Sequence, residues 1–296
     1  MTTLRQNVRL RDEEKKAAAS NNRASYSFGQ PTRTAGSAPW KQKQVRKIAP
    51  VGPIDTATGQ SAPAEISEER VLSIFTGIAE QYEHFNKVSS FGQDHGWLDR
   101  LVEAAPIDGT SRVLDVAGGT GEVAFNICDH KKPASIMLTD YTPAMLEVAK
   151  KRLAAGDAHG VPMSTMVVDA QDMPLEDESF DVITMAYGIR NMPDRRAALN
   201  EIYRVLAPGG TACILEFSTP PRSIERFFYH GYLRWGIPAW GKHCTGKRDD
   251  FVYLAKSIRA FPDQETFADM LRTAGFSNVT YQNLTFGAVA IHTAVK

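Results

Sequence analysis

From Arg112 onward, short runs of branched apolar residues alternate with segments in which apolar residues recur every three or four positions. The apolar runs read RVLDVA, SIMLTD, STMVVDA, FDVITMAY and GTACILEF. Three segments among them read GEVAFNICDH, PAMLEVAKKRLAA and RRAALNEIYRVLAPGG. Strands that are apolar along their length, alternating with amphipathic helices, predict an α/β fold whose parallel sheet is covered on both faces.

The chain ends differently, with the stretch FSNVTYQNLTFGAVAIHTAVK. It reads as two strands joined by a turn that leaves no room for a helix, whereas parallel neighbours need a long crossover connection. The sequence therefore predicts a doubly wound sheet that ends in an antiparallel hairpin.

Two further segments predict helices outside the sheet. One begins near Ile66, where Ser67 is a suitable N-cap and apolar residues follow at helical spacing. The other is the aromatic-rich stretch that follows the fifth strand. We expect them to form a helical cap, over about residues 66–105 and 220–260, on one domain that spans residues 66–296.

Residues 1–65 are polar, charged and poor in branched aliphatic side chains, which predicts a disordered tail. This tail carries 11 Lys and Arg against 5 Asp and Glu, a net of +6, so the remaining 23 against 29 give −6. A solvated linker and an electrostatic tether to anionic lipid both fit such a basic tail. The whole chain is balanced at 34 charges of each sign, which gives no reason to expect nucleic acid.

The cysteines and the N-terminus bear on the compartment. Cys128, Cys213 and Cys244 match no metal-ligand spacing, so we expect no metal, and their odd number favours a reducing compartment. No apolar run is long enough to span a membrane. The first residues lack a secretory apolar core, and Asp12 and Glu13 argue against a mitochondrial presequence. The expected location is cytoplasmic, peripheral on the inner face of the membrane, with the mitochondrial matrix as the alternative.

The first predicted strand is followed by a turn with three glycines, Gly118, Gly119 and Gly121, around Thr120. Ligands of doubly wound sheets bind beyond the carboxyl ends of the strands, where missing side chains allow close approach. GTGEVA also fits the dinucleotide pattern G-x-G-x-x-G/A, so a NAD-dependent reductase is one alternative. The sequence near the fourth strand has no obvious Tyr-x-x-x-Lys pair, which argues against that alternative.

Acids close the next two strands. Asp140 ends SIMLTD, where a carboxylate can accept both ribose hydroxyls of NAD or of S-adenosylmethionine. Asp169 follows the third strand, where it can accept from the amine of adenine while Ala170 offers its backbone N–H. An adenosine without a diphosphate suits this arrangement, although both acids would also serve as caps of helices or turns.

Five motifs occur in one order: VLDVAGGTGEVA, VVDAQDMPLEDESFDVITMAYGIRNMPD, ALNEIYRVLAPGGTACILEFSTP, YLAKSIRAFPDQETFADMLRTAGF and GAVAIHTAVK. Together they resemble the UbiE/MenG family, the C-methyltransferases of ubiquinone and menaquinone biosynthesis, over about residues 70–296. The resemblance implies a class I S-adenosylmethionine-dependent methyltransferase with a seven-stranded sheet and no metal. It places the family's cofactor contacts on Thr120, Asp140 and the Asp169–Ala170 pair.

The chain departs from the family pattern at several positions. A serine of the family falls on Ala186, and changes in the cap fall on Glu83, Lys87 and residues 256–258. Because these cap positions are remote from the cofactor motifs, they bear on the acceptor rather than on the cofactor. A related methyltransferase acting on a water-soluble phenol is therefore a further alternative.

Methylation of a ring carbon requires an activated acceptor. Loss of a proton from a ring hydroxyl raises the electron density of the adjacent carbon, so the enzyme needs a base and a group that stabilises the phenolate. Arg190 and Asn191 follow the fourth strand, and we expect them to stabilise the phenolate while Asp169 acts through water. The structural alternative is an Arg190 ion pair with Asp181 or Asp194.

Histidines offer other bases, although a lone histidine is more often structural. The candidates are His84, His95, His230, His243 and His292, of which His292 lies in the predicted closing hairpin.

The stretch RSIERFFYHGYLRWGIPAWGKH is rich in aromatics, with six within residues 227–240. Aromatic side chains interleaved with Arg are typical of a lipid–water interface, and an ordinary cap helix would explain them equally well. We expect a polyprenylated quinol as substrate, with demethylmenaquinol favoured and the benzoquinol of ubiquinone biosynthesis as the alternative. A homo-oligomer and a non-catalytic subunit of a quinone-synthesis complex also remain open.

Overall fold

The computed structural model describes residues 68–78, 86–87, 90, 92–245 and 248–296. The predictions for the tail over residues 1–65, for Ser67, for Glu83 and for His84 lie outside these residues.

Seven strands form one sheet in the order β3-β2-β1-β4-β5-β7-β6. The first five strands in this order run parallel, while β7 is antiparallel to both β5 and β6. This arrangement confirms the doubly wound sheet and its antiparallel hairpin. The strands are β1 Arg112–Val116, β2 Ser135–Asp140, β3 Met163–Val167, β4 Phe180–Ala186, β5 Leu206–Phe217, β6 Ser277–Leu284 and β7 Val289–Val295.

Helices cover the sheet and build the cap. A π-helical turn, Tyr232–Gly236, joins two of them, and 3-10 turns follow β4 and β6 at Ile189–Asn191 and Thr285–Gly287. The described helices are α1 Glu68–Ile78, α2 Asp94–Ala104, α3 Glu122–His130, α4 Pro143–Ala155, α5 Arg195–Val205, α6 Ser223–Gly231, α7 Ile237–Thr245, α8 Arg248–Arg259 and α9 Gln264–Thr273.

The fifth strand is longer than its sequence predicts. The predicted helix over RRAALNEIYRVLAPGG stops at Val205, and β5 already begins at Leu206. Leu206 pairs with Phe180, and the register shifts before Val182 pairs with Thr211. The segment LAPGG is thus the irregular first part of β5. A bulge accommodates these residues in the strand, although the sequence alone predicts a turn there.

Both faces of the sheet are buried, as alternate residues of β1 show. Val113 packs in one apolar cluster with residues of α2 and α3, whereas Leu114 and Val116 pack in another with residues of α5 and α9. Successive side chains of a strand point to opposite faces, so a strand buried on both faces must be apolar throughout.

A separate small core holds part of the cap together. It consists of Leu233, Ile237, Phe251, Ala255 and Ile258. A Cβ on Gly241 would overlap the ring of Phe251, so this glycine lets α7 lie close against α8. Within the described residues, no helix has both the length and the apolar character needed to cross a membrane.

Candidate active site

The strand order reverses between β1 and β4, and the residues after these two strands have unusual backbones. Ala117 has φ 53° and Tyr187 has φ 59°, a region that non-glycine residues rarely adopt. A Cβ on Gly188 would lie 2.7 Å from the Cβ of Ala117, so the two turns pack in contact. Strained residues at the switch point of a doubly wound sheet mark the expected ligand crevice.

The glycines of the first turn serve different purposes. A Cβ on Gly118 would overlap Leu138 and the Asp115 carboxylate, so Gly118 is required for packing. Gly119 has φ 58°, and nothing lies within 4 Å of the position that its Cβ would occupy. Gly119 therefore presents bare backbone to open space, while Gly121, with φ 87°, begins α3.

Asp140 connects this turn with the end of β2. Its carboxylate accepts hydrogen bonds from the Gly119 N–H at 2.9 Å and the Thr142 N–H at 2.7 Å. Burial raises the pKa of Asp140, and these backbone hydrogen bonds oppose the rise. The acid that was predicted to bind ribose thus also orders the glycine turn.

Asp115 is a candidate that the sequence reasoning did not select. It is fully buried in β1, and its Oδ1 accepts a 2.8 Å hydrogen bond from the Thr184 hydroxyl. Its Oδ2 has no hydrogen-bond partner and points towards Gly118. Burial raises the pKa of Asp115 to about 7, and the nearby Asp140 charge adds to the rise. The available signal was an acid that closes an otherwise apolar strand.

Asp169 and Ala170 follow β3, as predicted, with Asp169 half-buried and Ala170 buried. Asp169 Oδ1 accepts from the backbone N–H of Gln171 at 2.9 Å and from its side-chain Nε2 at 3.0 Å. The Gln171 Oε1 in turn accepts from the Asp194 N–H at 2.8 Å. Gln171, which the sequence reasoning also missed, therefore couples Asp169 to the segment after the 3-10 turn.

Thr120 lies between the second and third glycines of the turn. Its side chain is buried, with 2% of the residue exposed, although it belongs to the glycine turn. Its two neighbours, Gly119 and Gly121, both have positive φ, 58° and 87°. The contact of Thr120 with the cofactor stays a prediction.

The expectation of an Arg190 guanidinium that faces an open cleft requires correction. Its Nη1 donates to Glu216 Oε1 at 2.7 Å and to the Tyr187 carbonyl at 2.5 Å, and both charged side chains are 1% exposed. The alternative partners were also wrong. Asp181 pairs with Arg112, and Asp194 caps α5 through the N–H of Ala197.

Glu216 is the acid at the centre of this region, close to the end of β5. Besides Arg190, its carboxylate accepts from the backbone N–H of Phe217 at 2.8 Å. Burial lowers the pKa of Arg195, and the Glu216 charge opposes that change. Burial likewise raises the pKa of Tyr229, with Glu216 adding to the rise. A buried carboxylate with charge-assisted hydrogen bonds thus holds the 3-10 turn after β4 and the end of β5 together.

Asn191 is better placed than Arg190 to meet an acceptor. It is half-exposed, and its Nδ2 donates to the Tyr187 carbonyl at 3.3 Å. The Tyr253 hydroxyl of α8 lies 3.5 Å from its Oδ1. The amide therefore lies between the switch-point turn and the cap.

A cluster of three titratable side chains stands beside the glycine turn. Asp94, His95 and Glu122 each place one ligand-type atom within 4.8 Å of the others. Asp94 is buried, and its Oδ1 accepts from the Ser90 hydroxyl, while its Oδ2 has no hydrogen-bond partner. His95 is exposed, and Glu122 directly follows Gly121. These residue types at this separation could hold a cation. The prediction that the protein binds no metal stays a prediction.

The other described histidines have different surroundings. His292 is buried in β7, its Nε2 lies 2.9 Å from the Gln264 carbonyl, and burial lowers its pKa to about 4. Since a carbonyl only accepts, Nε2 carries the proton. This placement supports the structural role expected for His292. Burial also lowers the pKa of His230, while His243 is exposed beside Trp240.

Sheet order, glycine turn and acids at the strand ends together define a class I S-adenosylmethionine-dependent methyltransferase. Solved structures share this fold. One is an S-adenosylmethionine-dependent methyltransferase of Thermotoga maritima, with 24% identity, a TM-score of 0.53 and coverage of 76% of this chain and 99% of that one. Another is phosphoethanolamine N-methyltransferase 2 of Haemonchus contortus in complex with S-adenosylmethionine, with 16% identity, a TM-score of 0.54 and coverage of 77% and 58%.

Within this class, the chain belongs to the ubiE/COQ5 methyltransferase family, whose model matches residues 64–296. It is 42% identical to the ubiquinone/menaquinone biosynthesis C-methyltransferase UbiE of Dinoroseobacter shibae, over 76% of this chain and 90% of the relative. It is 37% identical to the mitochondrial 2-methoxy-6-polyprenyl-1,4-benzoquinol methylase of Caenorhabditis elegans, over 77% and 80%. The resemblance noted in the sequence is thereby confirmed.

Proposed function

We propose that the protein transfers a methyl group from S-adenosylmethionine to a ring carbon of a polyprenylated quinol. The observation that carries this proposal is the family match over residues 64–296. The relatives of Dinoroseobacter shibae and Caenorhabditis elegans are both named for methylation in quinone biosynthesis. The alignments cover 90% and 80% of these two relatives.

The residues at the switch point fit S-adenosylmethionine. Asp140 would accept the ribose hydroxyls, and Asp169 with the Ala170 N–H would bind adenine. The Asp115 Oδ2, buried without a partner, suits the ammonium group of the amino acid, and the open side of Gly119 admits the chain. When bound, S-adenosylmethionine supplies an electrophilic methyl group on a sulfonium for in-line displacement by carbon.

The protein's own residues must prepare the acceptor. Asn191 is a half-exposed polar residue of the 3-10 turn after β4 and would orient the ring oxygen, while Asp169 would act through water. Arg190 acts in this proposal as a positioning residue. Its guanidinium fixes the Tyr187 carbonyl, the same atom to which the Asn191 amide donates. The loss of Arg190 would therefore misplace Asn191 rather than remove a direct contact.

His95 is the proton acceptor that the geometry favours. Its exposed imidazole places a ring nitrogen within 4.8 Å of carboxylate oxygens of Asp94 and Glu122. Glu122 directly follows the glycine turn, so the cluster borders the proposed cofactor site. A base in this position can take the hydroxyl proton of a quinol, whereas a quinone has no such proton to give.

Of the two candidate rings, the benzoquinol of ubiquinone biosynthesis has the broader support. The relatives named UbiE carry both pathways in their names, while the Caenorhabditis elegans relative is named for a benzoquinol alone. The demethylmenaquinol that the sequence reasoning favoured is the second candidate. Both acceptors offer a phenolic hydroxyl next to an unsubstituted ring carbon, so the chemistry at the site would be the same.

A methyl-transfer assay tests the proposal. Purified protein, S-adenosylmethionine and either reduced quinol should give a product heavier by one CH2 group, measured by mass spectrometry. The oxidised quinone should give none, because it cannot form a phenolate. The replacement His95→Asn should lower kcat for the reduced acceptor while S-adenosylmethionine affinity stays unchanged. Binding of S-adenosylmethionine without transfer to either quinol would contradict the proposal.

A further inference from the structure

Helix α6 and the π turn after it expose an apolar stripe. Ile224, Phe227 and Phe228 lie on one face of α6, at the spacing of successive helical turns, and Trp235 continues that face about two turns further on. These four side chains and Phe286 are 68–75% exposed, against 37–52% for the other exposed large hydrophobic residues of the described chain. Solvent exposure of large apolar side chains is thus concentrated in one place.

Phe286 joins this stripe through an unusual turn. Thr285 and Phe286 both have positive φ, 44° and 57°, although neither is a glycine. The adjacent Gly287 packs against the start of α6, where its Cβ would lie 2.7 Å from Pro221. The strained turn therefore presents the Phe286 ring to solvent beside α6 instead of burying it. We call the five residues Ile224, Phe227, Phe228, Trp235 and Phe286 the apolar surface.

The opposite side of the same segment faces the candidate active site. The Tyr229 hydroxyl donates to the Ala288 carbonyl at 3.3 Å, and Leu233 is buried in the cap core. Tyr229 is close enough to Arg190 and Glu216 for their charges to act on its pKa. Since an α-helix with side chains is about 10 Å across, the apolar surface lies roughly one helix width from the buried ion pair.

Charge indicates what covers this surface. Residues 222–235 contain Arg222, Arg226 and Arg234 against Glu225, although residues 66–296 as a whole carry a net charge of −6. The Arg234 guanidinium stacks over the Trp235 ring at 5.3 Å. No residue of α6 is buried, so the helix forms a ridge rather than a groove. An aromatic ridge with a local positive charge suits insertion into the headgroup region of an anionic bilayer.

We propose that the apolar surface docks the protein on an anionic lipid bilayer, with Phe227, Phe228 and Trp235 inserted among the headgroups. This inference deepens the proposed function, because a polyprenylated acceptor resides in the bilayer and the apolar surface lies roughly one helix width from the buried Arg190–Glu216 pair of the candidate active site. The acceptor ring then has a short path to the site while its polyprenyl chain stays in lipid.

Vesicle binding by the full chain tests the docking without any acceptor. We expect sedimentation with vesicles of phosphatidylcholine and phosphatidylglycerol, and weaker sedimentation with phosphatidylcholine alone. The double replacement Phe227→Asn/Phe228→Asn should weaken binding by about tenfold or more, since it removes two inserted rings. Tyr281→Asn, on the exposed face of β6, is the matched control and should bind as the wild type does.

A second readout locates the contact and separates it from the basic tail. Brominated lipid should quench the fluorescence of Trp235, and Trp235→Phe should bind vesicles normally while losing that quenching. Equal binding by the double variant and the wild type, or undiminished quenching in Trp235→Phe, would overturn the proposal. So would a dimer in solution that the double replacement dissociates, because a second copy would then cover the surface. Vesicle binding without methyl transfer would leave this inference standing and count only against the proposed function.

Discussion

Arg190 and Glu216 form a 2.7 Å salt bridge in which each side chain is 1% exposed. The pair joins the 3-10 turn after β4 to the end of β5, and it holds the Tyr187 carbonyl against which Asn191 is placed. A charged residue that the sequence suggested for contact with the acceptor is therefore part of the buried framework of the site.

Replacing Arg190 alone should destabilise the fold. Arg190→Met leaves the Glu216 carboxylate buried without its cation, which should lower the free energy of unfolding by about 3–5 kcal/mol. The double replacement Arg190→Met/Glu216→Met should recover most of that loss in urea denaturation. In both variants we expect kcat to fall, since Asn191 loses its support. A folded double variant with wild-type kcat would show that the ion pair has no part in positioning.

Two adjacent glycines should respond differently to alanine. Gly118→Ala introduces a methyl group into the space of Leu138 and Asp115, which should cost about 1–3 kcal/mol of stability or more. Gly119→Ala meets open space and should cost only about 1 kcal/mol for its positive φ. Its methyl group should nevertheless obstruct S-adenosylmethionine. Thermal unfolding measures the two losses of stability, and calorimetry measures the binding of S-adenosylmethionine. Normal binding of the cofactor by Gly119→Ala would show that this turn is not part of the cofactor site.

Asp140 should be essential for binding the cofactor. Asp140→Ala loses both the predicted ribose contact and the hydrogen bonds that order Gly119 and Thr142. We expect S-adenosylmethionine affinity to fall roughly 10- to 100-fold, as for the loss of charge-assisted hydrogen bonds. Asp157→Ala, at the exposed end of α4, is the control and should bind the cofactor unchanged. Equal affinities of the two variants would refute the assignment.

Asp115 should make stability depend on pH. The folded state holds its proton with a pKa of about 7, against 3.8 for an ordinary aspartate, so the folded state binds more protons between these values. The contribution of Asp115 to the free energy of unfolding is complete below pH 4. This contribution falls by about 4 kcal/mol as the pH rises through 7. Asp115→Asn stays neutral throughout. In urea denaturation, the stability of the variant relative to the wild type should therefore increase over this pH range. A stability difference that does not change with pH would contradict a raised pKa of the buried Asp115 carboxyl.

His292 should act in the opposite direction. Its pKa is about 4 in the folded state against 6.5 ordinarily, so the unfolded state binds more protons between these values. The contribution of His292 to the free energy of unfolding is complete above pH 6.5. This contribution falls by about 3 kcal/mol as the pH falls through 4. Measured by urea denaturation, His292→Phe should lack this loss and still transfer methyl groups, because His292 lies away from the site. An inactive but folded variant would show that its role is more than structural.

The local pattern of the sequence was sufficient for much of the fold and part of the site. Apolar runs and glycines placed β1 to β4 and the closing hairpin within a few residues, because a continuous apolar run bounded by breakers marks where a strand begins and ends. Asp140 and Asp169 were found for the same reason, since each acid closes a recognisable strand. The start of β5 at Leu206 could not be predicted in this way, because a bulge against β4 determines it.

By itself, the sequence determined where the strands lie along the chain and which residues stand at their ends. These residues are the glycine turn after β1 and the acids that close β2 and β3. Only the tertiary structure decided which charges are buried and with whom they pair. Glu216 lies 26 residues from Arg190, and Thr184 lies 69 residues from Asp115. Such partners depend on how distant strands pack, and burial rather than residue type makes Arg190 a framework residue. The same packing leaves the apolar face of α6 exposed.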